Sequence, residues 1–222
     1  MMDKLAHYLT RIEIYGLWQR YNVDWNLRPD VNILSGMNGI GKTTILTQTA
    51  AHLRAGSVSE EDTGRLLDIR VTLDDPQADG ILCDFIRMAD YPALQRQKLD
   101  DLVKRYGTLH ITPEETKQFQ DVVDEFFTYT GKSIDRTDTS TIRFLQAGEM
   151  IPYRKLSAGE KQMLVILLSI LTCRTQPGVI FMDEPEMSLH IEWQQQLIGR
   201  IRDWAPHIQL ILATHSPAIF MN

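Results

Sequence analysis

The chain has 222 residues, 43% of them hydrophobic, and 29 acidic against 23 basic side chains give it a formal charge of −6. This supports one substantial core, or one domain with an insertion, and no apolar run approaches the length of a membrane span. Isolated Cys83 and Cys173 form neither a disulfide framework nor a zinc pattern, the start lacks a signal-peptide core, and no basic stripe supports DNA binding, so a cytoplasmic protein without membrane insertion is expected.

Leu9 to Ile14 alternates as a half-buried strand that ends at Gly16, and Tyr21 to Leu27 alternates again. Trp18 and Tyr21 between and after these runs either stack on a base or cover a hairpin. Val31 to Leu34 is a short buried strand that feeds Gly36-Met37-Asn38-Gly39-Ile40-Gly41, and Lys42-Thr43-Thr44 opens a helix running to about Gly56. This is the P-loop pattern G-x-x-x-x-G-K-[ST] in its strand–turn–helix setting. The chemistry needs these residue types. Several backbone N–H groups, from Gly36 through Asn38 and Gly39 to Gly41, must meet phosphate oxygens at once, and a helix N-terminus adds more. Lys42 would sit on the β/γ-phosphates, the Thr43 hydroxyl on Mg²⁺, and Thr44 on an α- or β-phosphate oxygen.

Ser57 to Gly64 is polar and expected as loop, and Leu66 to Leu73 as strand. Ile81 to Tyr106 reads as helix broken at Pro92. Thr112-Pro113-Glu114-Glu115 has capping-box spacing, and Phe119, Val122, Val123, Phe126 and Phe127 then recur on one helical face. That stripe is either core or a partner groove. Gly131 to Thr141 reads as loop, followed by a hairpin around Ala147-Gly148-Glu149. Ser157 and Glu160 form a second capping box before the apolar helix Met163 to Leu171, an ordinary capped helix or a second anion site.

Val179 to Met182 is a buried strand that ends in Asp183-Glu184, two carboxylates costly to bury without a partner or metal. Downstream of a P-loop, Asp183 would help hold Mg²⁺, and Glu184 would orient and deprotonate the attacking water. A helix to Trp204 and a strand from Ile208 to Ala213 follow. His215 then stands beyond the carboxyl end of a strand, where α/β sheets bind ligands.

Taken in order, GMNGIGKTT, LSAGEKQ, VIFMDEPE, MSLH and ATHSP resemble the Walker A, signature, Walker B, D-loop and H-loop elements of ABC-type ATPases. The glutamate-lysine after the signature glycine, and EPExSLHxxWQ followed by THSP, are similar to the SMC, RecF and OLD-type group, with its compact ATPases of bacterial DNA repair and anti-phage defence. The resemblance implies an α/β P-loop fold with a mainly parallel core sheet, an N-terminal antiparallel subsheet and a helical insertion. A single domain would place the subsheet and P-loop in residues 1–75, a mainly helical insertion in 76–141, and the signature, Walker B and H-loop half in 142–222. It implies an ATPase using ATP and Mg²⁺, with two copies closing head to tail on ATP to control a separate protein partner. Ser157, Gly159 and Glu160 of one copy would cap the nucleotide held by the other. Ala158 departs from the usual glycine. The Q-loop glutamine is not evident; Gln77 is assigned to the metal site, with Gln146 its rival. The unmatched insertion, including Asp100 and Asp101, is the expected docking element. An ABC transporter subunit and a nucleotide sensor without turnover are the alternatives.

Overall fold

The computed structural model describes residues 4–55, 68–87, 92–174 and 176–220. In chain order the elements begin with β1 (Leu9–Leu17), β2 (Tyr21–Asn26), β3 (Val31–Ser35), α1 (Lys42–Ala55), β4 (Asp68–Leu73) and β5 (Leu82–Arg87). Then come α2 (Pro92–Tyr106), α3 (Pro113–Phe127), β6 (Lys132–Ile134), β7 (Arg143–Gln146), β8 (Glu149–Pro152) and α4 (Ala158–Cys173). The chain closes with β9 (Gly178–Asp183), α5 (Ile191–Trp204), β10 (Ile208–Thr214) and α6 (Pro217–Phe220). The elements divide between two compact units.

The first unit takes residues 1–87, 173–185 and 205–215. Its central sheet is parallel, in the order β3-β10-β9-β5. Every residue of β9 and β10 is buried, which is why both read as mainly apolar runs rather than alternation, with Gln209 the polar interruption inside β10. The second sheet, β2-β1-β4, is antiparallel. Ile12, Ile14 and Ile69 from it join Ile45 and Leu46 of α1 and Phe181 and Ile211 of the parallel sheet in one cluster. A single fully buried amide bridges β1 and β10. Gln209 accepts from the Leu9 N–H at 2.8 Å and donates to the carbonyls of Leu9 at 2.9 Å and Arg28 at 2.7 Å.

The second unit takes residues 88–172, 186–204 and 216–222. Thr112 caps α3 as expected: its hydroxyl accepts from the Glu115 N–H, and the Glu115 carboxylate accepts from the Thr112 N–H. The aromatic stripe of α3 is core. Phe127 stacks on Phe144 of β7 at 4.7 Å and on Trp193 of α5 at 5.9 Å, and the Trp193 indole donates to the Phe126 carbonyl. α4 is buried from Gln162 to Leu171.

Two expectations are corrected. Residues 82–87 are not helix. They form β5, the edge of the parallel sheet, because a short apolar run flanking a core sheet is decided by strand pairing rather than by length or local propensity. Lys132–Ile134 is not loop but β6, paired to β7 and anchored by the Asp124 carboxylate, which accepts the Ile134 N–H at 2.6 Å. Asp100 of the expected docking element accepts from the Tyr153 hydroxyl at 2.8 Å and from Nε and Nη2 of the Arg154 guanidinium at 3.2 Å. The expected loop at 57–64 and residues 66–67 lie outside the described residues.

Candidate functional site

Within the first unit, β3, β9 and β10 run parallel and end together, so the P-loop, Asp183-Glu184 and His215 emerge side by side. Asn38, Gly39, Gly41, Lys42, Thr43 and Thr44 line a cavity of about 200 Å³. Trp18, Glu184 and His215 complete its wall. Gly41 sits at φ 101, and a Cβ there would fall 2.7 Å from the Trp18 ring, so backbone and indole meet only because the residue is glycine. Trp18 is thus held against the P-loop. Tyr21 is 57% exposed and does not line the cavity.

Lys42 is only 6% exposed, and its ammonium is fully engaged. It donates to the carbonyls of Gly36 at 2.8 Å and Met37 at 3.1 Å and to Nε2 of His215 at 2.9 Å. An ammonium can only donate, so the imidazole nitrogen is the acceptor in this contact. The same Nε2 lies 3.7 Å from the Glu184 carboxylate. Glu184 itself adopts φ 52 and donates its N–H to the Ala213 carbonyl at 2.8 Å. A non-glycine residue in the left-handed region costs about 1–3 kcal/mol, and such strain gathers at working sites.

The Thr43 hydroxyl donates to Asp183 at 3.0 Å. Asp183 is 2% exposed, and burial pushes its carboxyl above the ordinary aspartate range, with the Glu184 charge adding to the shift. The Thr43 hydroxyl and the cations of Arg87 and Lys42 oppose it. A hydroxyl and a desolvated carboxylate in contact are the hard oxygen donors that Mg²⁺ takes, so these residues fit the ion. Among the described residues, no group of three or more His, Cys, Asp or Glu could hold a metal ion alone. Its remaining ligands would be water and phosphate oxygens, the usual habit of Mg²⁺.

Within the second unit, Ser157 precedes the first turn of α4. Its N–H donates to the Glu160 carboxylate at 2.8 Å, and its hydroxyl accepts from the Glu160 N–H at 3.3 Å. Ser157, Ala158 and Gly159 border a cavity of about 450 Å³ whose other walls include Tyr129, Ser188 and His190. A Cβ on Gly159 would lie 2.4 Å from the Ser188 carbonyl oxygen, so glycine is required by the close approach of that backbone. Ser188 itself is held at φ 65.

Two assigned site residues do not serve as expected. Glu160 is 2% exposed, and its second oxygen accepts from the half-buried Lys132 ammonium at 2.8 Å. Both oxygens are committed inside their own unit, so Glu160 shapes the helix start and does not reach a nucleotide on another copy. Gln77 lies five residues before β5, at the amino ends of the parallel strands. The P-loop is at their carboxyl ends, so Gln77 is not a metal-site residue. Its rival Gln146 donates to the Thr130 carbonyl in the second unit. Arg87, by contrast, was not expected: its Nε stands 3.8 Å from Asp183. Reading residues 82–87 as strand would have placed it at the ligand end of the sheet.

A family described as "AAA domain, putative AbiEii toxin, Type IV TA system" matches residues 84–222, more than half of the chain. The chain belongs to this family. Its matched part is an AAA domain. "Retron Vc95 probable ATPase" of Vibrio cholerae serotype O1 biovar El Tor is 28% identical over 120 residues, 49% of this chain and 22% of that protein. "Retron Ec83 probable ATPase" of Escherichia coli is 33% identical over 76 residues, 29% of this chain and 14% of that protein. The chain therefore spans less than a quarter of either relative. The lipoprotein-releasing system ATP-binding protein LolD of Ehrlichia chaffeensis is 26% identical over 192 residues, 84% of this chain and 73% of LolD.

Among solved structures, an SmcHead bound to the C-winged helix domain of ScpA matches with a TM-score of 0.62 at 14% identity, over 96% of this chain and 91% of that one. The SMC head domain from Thermotoga maritima matches with a TM-score of 0.58 at 14% identity and the same coverage. At that identity the likeness shows the fold alone, that of a P-loop NTPase, and the chain has the parallel and antiparallel sheets such a fold carries.

Proposed function

We propose that the chain is an ATP-driven switch. It binds and hydrolyses ATP, closes head to tail with a second copy, and controls a separate partner in DNA repair or phage defence. The observation that carries the reading is the convergence of Lys42, Thr43, Asp183, Glu184 and His215 at one end of one sheet. These are the charge, hydroxyl, carboxylates and imidazole that phosphoryl transfer to water requires.

The resting bonds suggest how nucleotide enters. Lys42 exchanges the Gly36 and Met37 carbonyls for β- and γ-phosphate oxygens. Thr44 and the N–H groups from Gly36 to Gly41 take the remaining oxygens. Thr43 and Asp183 hold Mg²⁺, which neutralises phosphate charge when bound. Glu184 orients a water and accepts its proton, while His215, released from Lys42, turns to the γ-phosphate. Ser157 and Gly159 of the second copy cap that phosphate. The cap forms only with the triphosphate, so ATP favours the closed pair and hydrolysis opens it.

The defence role is supported by the names of the retron ATPases and by the toxin–antitoxin description of the family. A second reading, the ATP-binding subunit of a transporter, is favoured by the LolD match over most of the chain. Among the described residues, no helix is long and apolar enough to cross a membrane, so that reading needs a separate membrane partner. Phosphate release from Mg-ATP by the wild type, absent in Lys42→Ala, tests the activity. A folded Lys42→Ala protein with wild-type turnover overturns it. Proteins that copurify from the native host separate the two readings by the presence or absence of membrane spans.

A further inference from the structure

Arg87 ends β5 and has no part in the scheme above. The register of the parallel sheet explains why it meets Asp183. Cys83 pairs with Val179, Phe85 with Phe181 and Arg87 with Asp183, so these three pairs lie on one face of the sheet. The first two pairs belong to, or pack against, the apolar cluster that includes Ile45 and Leu46 of α1. At the third pair, where the strands reach their carboxyl ends, the same face turns from apolar to ionic. A slip of one residue would send the guanidinium to the opposite face.

Asp183 is flanked on both oxygens. Oδ1 accepts from the Thr43 hydroxyl at 3.0 Å, and Oδ2 faces Arg87 Nε at 3.8 Å. The second distance is too long for a hydrogen bond, so charge rather than a directed bond joins this pair. The Arg87 side chain is 42% exposed, against 3% for that of Asp183. It can therefore yield the oxygen to another cation without being drawn out of the core. Burial pushes the Asp183 carboxyl up, and the Thr43 hydroxyl, Arg87 and then Lys42 hold against it. Lys42 comes after Arg87, and its ammonium is engaged by the Gly36 and Met37 carbonyls and by His215. A buried carboxylate without a cation is costly, and here a second carboxylate, Glu184, is the next residue.

We propose that Arg87 is a resident cation that stands in for Mg²⁺ at Asp183. It offsets the carboxylates before nucleotide arrives, and it competes for Asp183 with the ion that accompanies the nucleotide. Arg87 thereby sets how strongly nucleotide affinity depends on Mg²⁺. A guanidinium is ionised at every working pH, so the stand-in is always present. The inference rests on the Mg²⁺ role proposed for Asp183.

Calorimetric titration with ADP, in EDTA and in Mg²⁺, tests it without any turnover. Arg87→Met keeps the bulk of the side chain and removes its charge. In EDTA at low salt its ADP affinity should fall about fivefold or more, because the phosphates then approach carboxylates that have lost a neighbouring cation. With Mg²⁺ present the loss should be smaller. The gain in affinity that Mg²⁺ brings should therefore be larger than in the wild type, by about threefold or more. Arg87→Lys keeps a charge and should hold the wild-type gain to within about twofold. If Arg87→Met does not fold, Arg87→Gln makes the same measurement. A gain in folded Arg87→Met no larger than the wild type's overturns the inference and leaves Asp183 its metal role. An Arg87→Lys protein that matches Arg87→Met also overturns it, since charge would then not be what matters. ADP affinity indifferent to Mg²⁺ in both the wild type and Arg87→Met overturns the metal role of Asp183 and the inference together. A wild type that binds no ADP overturns the nucleotide reading as well.

Discussion

Lys42 Nζ and His215 Nε2 stand 2.9 Å apart, although 173 residues separate them in sequence. The pair makes the phosphate-binding cation and the imidazole competitors for one another in the resting protein. His215→Ala therefore removes a partner that Lys42 must give up on binding. ATP affinity should hold or tighten, while single-turnover hydrolysis falls roughly 10²-fold or more. Calorimetry and quenched-flow phosphate release check both. Lost affinity in a folded variant would mean that His215 organises the P-loop instead.

Glu184→Gln keeps shape and hydrogen bonding but cannot take a proton from water. Hydrolysis should fall about 10²-fold or more, and ATP with Mg²⁺ should accumulate the closed pair, seen by light scattering on a sizing column. Adding Ser157→Arg puts bulk and charge where the other copy's γ-phosphate belongs, and the protein should remain a monomer with ATP bound. A Glu184→Gln protein that binds ATP without any change in mass or shape removes the head-to-tail mechanism.

Gly159→Ala should be costly before any nucleotide is added. Its methyl would lie 2.4 Å from a backbone oxygen, so the turn at Ser188 must shift or the helix start must yield. Overpacking of this kind costs about 1–3 kcal/mol. Denaturant melts of the free protein measure it, and an Ala variant as stable as wild type would show that the Ser188 turn gives way freely.

Gln209→Leu tests the bridge between β1 and β10. It strands the Leu9 N–H and takes a donor from the Leu9 carbonyl in a dry interior, at a cost of about 1–3 kcal/mol for each unmet group, whereas the Arg28 carbonyl keeps the Asn32 amide at 2.8 Å. A drop of at least 2–3 kcal/mol in urea melts is expected, roughly within that range. A neutral result would mean that water enters beside β1.

Glu160 gives a pH dependence. Burial pushes its carboxyl up, but the Lys132 ammonium and the bonds from Ser157 outweigh burial and hold it below the ordinary glutamate range. The unfolded chain therefore takes up the proton first as pH falls. The stabilisation is fully present above the ordinary glutamate range and is lost as pH drops through the folded value. Lys132→Met should lower the melting temperature at neutral pH, and the gap to wild type should narrow below about pH 4. A gap that stays constant into acid would show that the loss is packing rather than charge.

The P-loop, Asp183-Glu184 and His215 were legible because each sits where a mainly apolar run stops, broken once by Asn32 in β3 and once by Gln209 in β10. The capping boxes at Thr112 and Ser157 were legible because their bonds are local. β5 was not, since LCDFIR has neither the length nor the alternation to declare itself and becomes a strand only beside β9. Glu160 was misjudged for a related reason. Its spacing to Ser157 is visible in sequence, but the Lys132 ammonium that claims its other oxygen comes from 28 residues upstream. Gln77 failed because proximity to a strand says nothing about which end of the sheet it joins.

The strand order β3-β10-β9-β5 places the last-made strand in the middle of the parallel sheet. As the chain leaves the ribosome, β3 waits beside an empty slot from residue 35 until residue 214 emerges, and Leu9 waits 200 residues for the amide of Gln209. Neither β3 nor β9 can satisfy that backbone edge earlier, and open edges of apolar strands invite pairing with the wrong chain. The parallel sheet of the first unit is therefore completed only once β10 has been made. A chain stopped short of β10 keeps the whole P-loop sequence yet has no sheet on which to mount it.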